Sequence, residues 1–183
     1  LYVLALSTGM RQGELLGLRW REVDLDRATA RVTATLQKTG ARLELAAPKT
    51  HRSKRQIALT PSAVSVLHAH RARQAEERLR AGAAWADWDL VFCNQVGGPL
   101  QKGNVLVKDF VPLLKRAGVR RVRFHDLRHT AATLLLGRGV PVKVVSELLG
   151  HASIAITLDV YAHVLPDMQA QAAEVMEAAL GTR

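Results

Sequence analysis

Apolar and polar residues alternate in two rhythms along this chain, and the changes of rhythm outline its elements. Residues 1–8 are apolar and helix-prone, and Gly9 closes them as a C-terminal cap. A second short helix is predicted over Arg11 to Leu18, with Leu15 and Leu18 three apart. The period then becomes two. Ala28, Ala30, Val32, Ala34 and Leu36 alternate with Arg27, Thr29, Arg31, Thr33 and Thr35, the pattern of a half-buried strand. After the turn at Thr39-Gly40, Leu43 and Leu45 continue as a second strand and Ile57 and Leu59 as a third.

Helical spacing returns at Thr60-Pro61, a capping residue followed by proline at the first helical position, and holds to about Ala81. Leu90 to Phe92 is a short apolar run, and Gly97-Gly98-Pro99 is a turn. Leu106, Phe110, Leu113, Leu114 and Ala117 share one helical face up to Gly118. Leu127, Ala131, Leu134 and Leu135 mark the next helix, ended by Gly137 and Gly139; His125 and Arg128 fall on a different face near its start. Pro141 to Leu149 forms a further helix, stopped by Gly150 with His151 just beyond. Ser153 caps another, which carries Ile154, Leu158 and Tyr161 on one face. Met168, Ala172, Val175, Met176 and Ala179 line a last amphipathic helix. The sum is a mainly α protein with a small three-stranded antiparallel β-sheet, an α+β fold without internal repeats or interdomain linkers.

Charge narrows the partner. Lys and Arg number 26 against 16 acidic residues, a net charge of +10, which favours a polyanion, nucleic acid above all. Five of the eight residues from Pro48 to Arg55 are Lys, Arg or His, and Arg52, Lys54 and Arg55 are candidates for gripping a DNA backbone. A solvated loop of this composition is equally ordinary. The single cysteine, Cys93, excludes an internal disulfide and any Cys-based metal site, and it fits a reducing cytoplasm. Cys93 lies in the run Leu90-Val91-Phe92-Cys93 and reads as a small buried side chain. No apolar run approaches the roughly twenty residues of a membrane span, so no membrane partner is expected.

The chemistry gathers late in the chain. Between Phe124 and Tyr161 stand His125, Arg128, His151 and Tyr161, with Arg11 far upstream at a predicted helix start. A guanidinium fork binds two phosphate oxygens, imidazoles move protons near neutral pH, and a phenol can serve as an oxygen nucleophile. That combination suits a phosphate diester. Each member also has a structural explanation: a helix cap for His125, pairing with Asp126 or Asp109 for Arg128, a filled turn for His151, a packed core tyrosine for Tyr161. Arg11 is locally unfavourable, because a cation at a helix N-terminus opposes the macrodipole.

The motifs decide between these readings. Thr8-Gly9-Met10-Arg11-Gln12-Gly13-Glu14-Leu15-Leu16-Gly17-Leu18-Arg19-Trp20 resembles the first conserved box of the tyrosine recombinases, the phage integrase family. His125-Asp126-Leu127-Arg128-His129-Thr130-Ala131-Ala132-Thr133 resembles the second, Leu148-Leu149-Gly150-His151-Ala152-Ser153 the third, and Thr157 through His163 the nucleophile segment. Four boxes in order over nearly the whole chain are specific in a way that no single short motif is. The resemblance implies that Arg11 and Arg128 clamp the scissile phosphate and that Lys49 protonates the leaving 5′ oxygen. It implies His125 as general acid/base, His151 as a phosphate hydrogen-bonding partner, Tyr161 as nucleophile and Glu14 as the supporting acid. Lys38 and Lys54 are the other lysines that flank the basic hairpin.

The same resemblance implies site-specific recombination of double-stranded DNA through a 3′-phosphotyrosyl link, which needs no ATP, no other cofactor and no metal. It further implies a homo-oligomer on DNA, a tetramer, with a monomer when free and a cytoplasmic, nucleoid-associated location. Residues 1–183 would form a single catalytic domain of a longer protein whose other DNA-gripping domain is not included. Two alternatives remain at this level. A type IB topoisomerase-like enzyme would use the same chemistry, although the chain length and the Leu-Gly-His box fit a recombinase better. A non-enzymatic helix-turn-helix regulator would use Val142 to Tyr161 as its reader but leaves Arg11, Lys49 and the His125/Arg128 pair unexplained.

Overall fold

The computed structural model describes residues 1–48, 53–162 and 168–181. Helix α1 (Tyr2–Thr8) ends at Gly9, whose φ of 62° is the left-handed conformation that glycine adopts without strain. Helix α2 (Gln12–Leu16) is shorter than its sequence pattern suggests, because Gly17 presses against the next strand: a Cβ there would lie 2.7 Å from the Leu36 backbone nitrogen. Leu15 and Leu16 are fully buried.

The strand-like alternation is split. Strands β1 (Val23–Asp24), β2 (Thr29–Val32) and β5 (Arg55–Ala58) form one antiparallel sheet in the order β1-β2-β5, with Ala30 opposite Ile57 and Val32 opposite Arg55. Strands β3 (Thr35–Thr39) and β4 (Arg42–Ala46) form a separate hairpin with Leu36 opposite Leu45. The expected antiparallel sheet is therefore two small ones, and the chain changes sheets at Thr33-Ala34. Alternation specifies which side chains are buried, and Ala30, Val32, Ala34 and Leu36 all are. It does not specify which strand receives the hydrogen bonds.

Helix α3 (Pro61–Ala81) starts as expected, with the Thr60 hydroxyl accepting from the Ala63 backbone N–H at 3.2 Å. Helix α4 (Lys102–Asn104) passes through a π-helical segment, Val105–Phe110, into α5 (Val111–Arg116). Phe110 from that segment stacks on Tyr2 with ring centroids 5.3 Å apart and meets Phe124 at 5.4 Å. This aromatic cluster joins α1 to the stretch that leads into α6 (Asp126–Leu136). Helix α6 buries Arg128, Ala131, Ala132 and Leu136, whereas Leu134, expected on its core face, is 50% exposed. Cys93 is half-buried, its sulfur accepting from Gln74 at 2.9 Å.

Helices α7 (Val142–Leu149) and α8 (Ile154–Tyr161) follow, meeting at 108°. A second small core of Ala132, Leu136, Val145, Leu149 and Tyr161 binds them to α6. On α8 the buried residues are Thr157 and Tyr161; Ile154 and Leu158, expected beside Tyr161, are each 40% exposed. Helix α9 (Met168–Leu180) leaves Val175, Met176 and Leu180 between 55 and 71% exposed. Among the described residues no single helix is long and apolar enough to cross a membrane.

Candidate active site

Glu14 anchors one wall of the site. Its carboxylate is almost entirely buried and accepts from the Arg11 backbone N–H at 2.9 Å, from Arg11 Nη1 at 2.9 Å and from Arg55 Nη2 at 2.9 Å. Burial pushes the Glu14 carboxyl up, but the hydrogen bonds and charge of Arg55 and the bonds from Arg11 outweigh it, and the pKa lies below the usual carboxylate value. Bonding the backbone N–H at the start of α2 also satisfies one of that helix's free donors. The unfavourable position of Arg11 thus has a local remedy.

Arg55 is placed differently from its expected role in DNA contact. Its side chain is only 7% exposed. Nε donates to the Leu148 carbonyl at 2.6 Å, and Nη1 donates to the Ser53 carbonyl at 3.1 Å. The guanidinium ties β5 to α2 and to the end of α7, beneath the site. Gly150 permits this approach. It has φ 66°, and a Cβ there would lie 2.8 Å from Arg55 Nη1. Lys54 is exposed, as a DNA-facing residue must be, while Lys49 and Arg52 lie outside the described residues.

Arg128 projects from the first turn of α6 into the protein. Nη1 donates to the Gly9 carbonyl at 2.7 Å and Nη2 to the Leu149 carbonyl at 2.7 Å, so one fork spans the ends of α1 and α7. Burial first, then the neighbouring Arg11 charge, pull its pKa down to about 9, which leaves it cationic at neutral pH. The Asp126 pairing that could have explained Arg128 belongs to Arg123 instead, at 2.9 Å. Arg11, with 40% of its side chain exposed, points the same way and reaches the Gly150 carbonyl at 3.4 Å.

The imidazoles surround this cationic floor. His125 is exposed at the start of α6 and makes no capping bond. Partial loss of hydration at the ring, and then the charges of His129, Arg128 and Arg11, lower its pKa. His151 follows the Gly150 cap, and its Nδ1 lies 2.8 Å from the fully buried Thr157 hydroxyl. Burial and the charges of Arg128, Arg11 and Arg55 pull its pKa down to about 4, so it is neutral at pH 7. Tyr161 is 3% exposed, with its hydroxyl 2.8 Å from His129 Nδ1. Burial raises the phenol pKa, and the charge of Arg128 offsets part of that rise.

Arg11, Glu14, Lys102, His125, Arg128 and His151 line an open cleft of about 570 Å³. Pro48 and Ser53, on either side of the Lys49 segment, line it as well. Lys38 and Lys54 do not; among the described residues the lysine on the cleft is Lys102. Lys102, His129 and Thr157 join the site from tertiary structure, with no role implied by the motifs. The last two carried a signal: His129 is four residues after His125, and Thr157 four before Tyr161, spacings that share a helix face. Among the described residues, no group of three or more His, Cys, Asp or Glu side chains is arranged to hold a metal ion.

The helix-turn-helix alternative fares poorly. The exposed residues of α8 include Ile154, Ile156, Leu158 and Val160, each at 40–42%, and base edges need hydrogen-bonding side chains. The helix buries the tyrosine and shows solvent an apolar surface.

A mainly helical fold thus brings guanidinium groups and imidazoles around one cleft, with a buried tyrosine hydrogen-bonded to the histidine behind His125. The match to the phage integrase family runs over residues 1–168, and the chain belongs to that family. It is 39% identical to a tyrosine recombinase XerC-like protein of Caldanaerobacter subterraneus subsp. tengcongensis, over 96% of this chain and 48% of that protein. It is 36% identical to an integrase of Streptomyces ambofaciens, over 87% of this chain and 42% of that protein. The chain thus spans about half the length of the curated relatives it matches. Its fold resembles the Tn1549 transposon integrase in complex with a circular intermediate DNA, at TM-score 0.74 and 21% identity over 97% of this chain and 57% of that one. It also resembles XerA recombinase, at TM-score 0.68 and 25% identity over 99% and 57%.

Proposed function

We propose that this chain is the catalytic portion of a site-specific DNA recombinase that cleaves and rejoins double-stranded DNA through a 3′-phosphotyrosyl intermediate. The observation that carries the reading is the convergence of Arg11, Arg128, His125 and His151 on one cleft from segments up to 140 residues apart in sequence, with buried Tyr161 hydrogen-bonded to His129, the ring next to His125. The guanidinium groups of Arg11 and Arg128 stabilise charge on the non-bridging oxygens as phosphorus becomes five-coordinate. Arg128 is held at both ends by carbonyls, so its orientation is fixed before substrate arrives. His151 hydrogen-bonds the phosphate, and Thr157 holds the far side of its ring. His125 serves as general acid/base, and Lys49, whose flanks border the cleft, protonates the departing 5′ oxygen. Glu14 supports both Arg11 and Arg55. The clustered cations supply the charge stabilisation that a metal would otherwise give.

Tyr161 Oη attacks the scissile phosphorus, and the phosphotyrosyl bond conserves the energy for rejoining. The partner is double-stranded DNA, gripped in part by the segment from Arg52 to Lys54, and the setting is the nucleoid in the cytoplasm. Several copies, four on the recombining duplexes, assemble on that DNA, with α9 docking on a neighbouring copy. The exposed Val175, Met176 and Leu180 support that docking, since the other described residues leave them uncovered.

The test is a pool of nicked suicide duplexes, randomised about the nick, incubated with the protein and resolved on denaturing gels. A covalent adduct that maps to Tyr161, disappears in Tyr161→Phe and persists in EDTA is the expected result. An adduct formed by Tyr161→Phe at the wild-type rate, or one restored only by Mg²⁺ while DNA binding survives the chelator, refutes the reading.

A further inference from the structure

The nucleophile has a partner that none of the four roles around the phosphate accounts for. Oxygen attack by a phenol requires its proton to leave, and buried Tyr161 keeps that proton more tightly than an exposed phenol does, with Arg128 relieving only part of the effect. Among the described residues, the polar atom within hydrogen-bond distance of its hydroxyl is His129 Nδ1, at 2.8 Å, with ring centroids 5.8 Å apart and planes tilted by 53°. His129 is half-buried on α6, one turn beyond His125. The two imidazoles meet edge to face with centroids 4.9 Å apart. His125 lines the cleft, and His129 contacts the His125 ring on one side and the Tyr161 ring on the other. The ordinary alternative is a histidine that pins α8 to α6 by its bond to a core tyrosine. That alternative gives no reason for an imidazole over any other hydrogen-bonding side chain.

We propose that His129 is a further catalytic residue, the immediate acceptor of the Tyr161 phenol proton during cleavage. The assignment rests on the recombinase reading above. As the Oη–P bond forms, the phenol proton passes to His129 Nδ1, while Nε2 keeps the ring proton already there. The P–O5′ bond breaks, and its electron pair leaves on the 5′ oxygen, which is protonated from the leaving-group side of the cleft. In rejoining, the 5′ hydroxyl attacks phosphorus, the P–Oη bond breaks, and His129 returns its proton to the tyrosine oxygen. His129 thus takes the phenol proton first, His125 beside it serves as the acid/base that faces the cleft, and the leaving-group acid acts across the phosphate.

The experiment compares wild type, His129→Ala and His129→Asn on the suicide duplex recovered above. A second duplex carries a 5′-bridging sulfur at the scissile position, a leaving group that needs no acid. Asparagine places an amide near the position of Nδ1, so it can keep the bond to Tyr161 and hold α8 to α6, but it cannot take up a proton. Both variants are expected to form adduct on the order of a hundredfold more slowly, the usual contribution of a positioned base. The defect should persist on the sulfur duplex, while DNA binding stays near wild type in both variants and the melting temperature stays near wild type in His129→Asn. Free imidazole should restore part of the His129→Ala rate. Near wild-type cleavage by His129→Asn reduces His129 to a positioning contact and overturns the proposal. So does rescue of His129→Ala by the bridging sulfur, which would move its role to the leaving group. If wild type yields no Tyr161-dependent adduct on any duplex, the recombinase reading falls and this assignment with it. A normal wild-type adduct beside an unimpaired His129→Ala overturns the proton assignment alone.

Discussion

The two sides of the cleft are built on opposite plans. On the cationic side the guanidinium groups are locked before any ligand arrives: Arg128 bridges the Gly9 and Leu149 carbonyls, and Arg55 and Arg11 converge on buried Glu14. On the nucleophile side, α8 is held by its inward face, through the Tyr161–His129 and His151–Thr157 hydrogen bonds and the small apolar core. Its outer face, and all of α9 from Ala173 to Leu180, remain exposed. Electrostatic stabilisation is worth most where donors need no reorganisation at the moment of reaction. The nucleophile's helix carries a different requirement, because in the proposed assembly it also contacts other copies. A preorganised charge array is thus set beside the proposed attacking group, which is carried on an element that still has surface to offer.

The sharpest way to break this comparison is to loosen the rigid side. Arg128→Lys replaces a fork by a point charge that can reach one carbonyl but not both. Adduct formation is expected to fall by on the order of a hundredfold or more. Cleavage within a few-fold of wild type would mean that preorganised bidentate contact is not what the cleft supplies. Arg11→Lys tests the same point at the more exposed guanidinium.

A second prediction separates the buried floor from the DNA-facing surface. Arg55→Ala leaves the Glu14 carboxylate, 4% exposed, without its principal partner. Breaking a buried pair in this way costs about 3–5 kcal/mol. Thermal melting should show that loss, whereas Lys54→Ala should leave melting unchanged and weaken DNA binding with a shallower salt dependence. A stable Arg55→Ala protein with a pure DNA-binding defect would return Arg55 to the role that its sequence neighbourhood suggested.

Acid should dissolve the contrast from the rigid side. Folded His151 does not protonate until about pH 4, and His125 and His70 also titrate below 6.5, so between those values the unfolded chain binds more protons than the folded one. Stability is therefore present above about pH 6.5 and is lost as pH falls toward 4. The lowered pKa of Glu14 acts in the same direction at still lower pH. Melting temperature should decline steadily from pH 7.5 to pH 5, and His151→Gln should flatten the decline. A profile that rises on acidification would contradict the placement of these rings beside the arginines.

The smallest effect is expected from removing residues 168–183. With Val175, Met176 and Leu180 uncovered, loss of the helix should move the melting temperature by less than about 2 °C, the shift for about 0.5 kcal/mol in a chain of this size. DNA-dependent assembly should be lost at the same time. A large drop in the stability of the free protein would place α9 in its own core.

By itself the sequence determined most of the helices and their caps, the apolar positions that are buried in β2 and β3, and several of the residues that line the cleft, Arg11, Glu14, His125, Arg128 and His151. Those features depend on neighbours within a few positions or on motifs long enough to be specific. Thr60 capping α3, Gly9 ending α1 and Gly150 ending α7 needed only local chemistry. What the tertiary structure decided were choices between equivalent partners. Alternation could not say that the strand divides at Thr33-Ala34, since hydrogen-bond pairing is set by whichever backbone lies alongside. A run of basic residues could not say that Arg55 turns inward to Glu14 while Lys54, just before the strand, remains outside, because the buried carboxylate that receives Arg55 comes from α2, forty-one residues away in sequence. The Tyr161 neighbours Ile154 and Leu158 lie on the same stripe of an ideal helix, yet α6 and α7 cover only the Thr157–Tyr161 edge. Nor could the second box say which of its two histidines would meet the tyrosine. That contact exists because α7 turns at Gly150 and α8 returns at 108°, placing Tyr161 beside His129, thirty-two residues away in sequence.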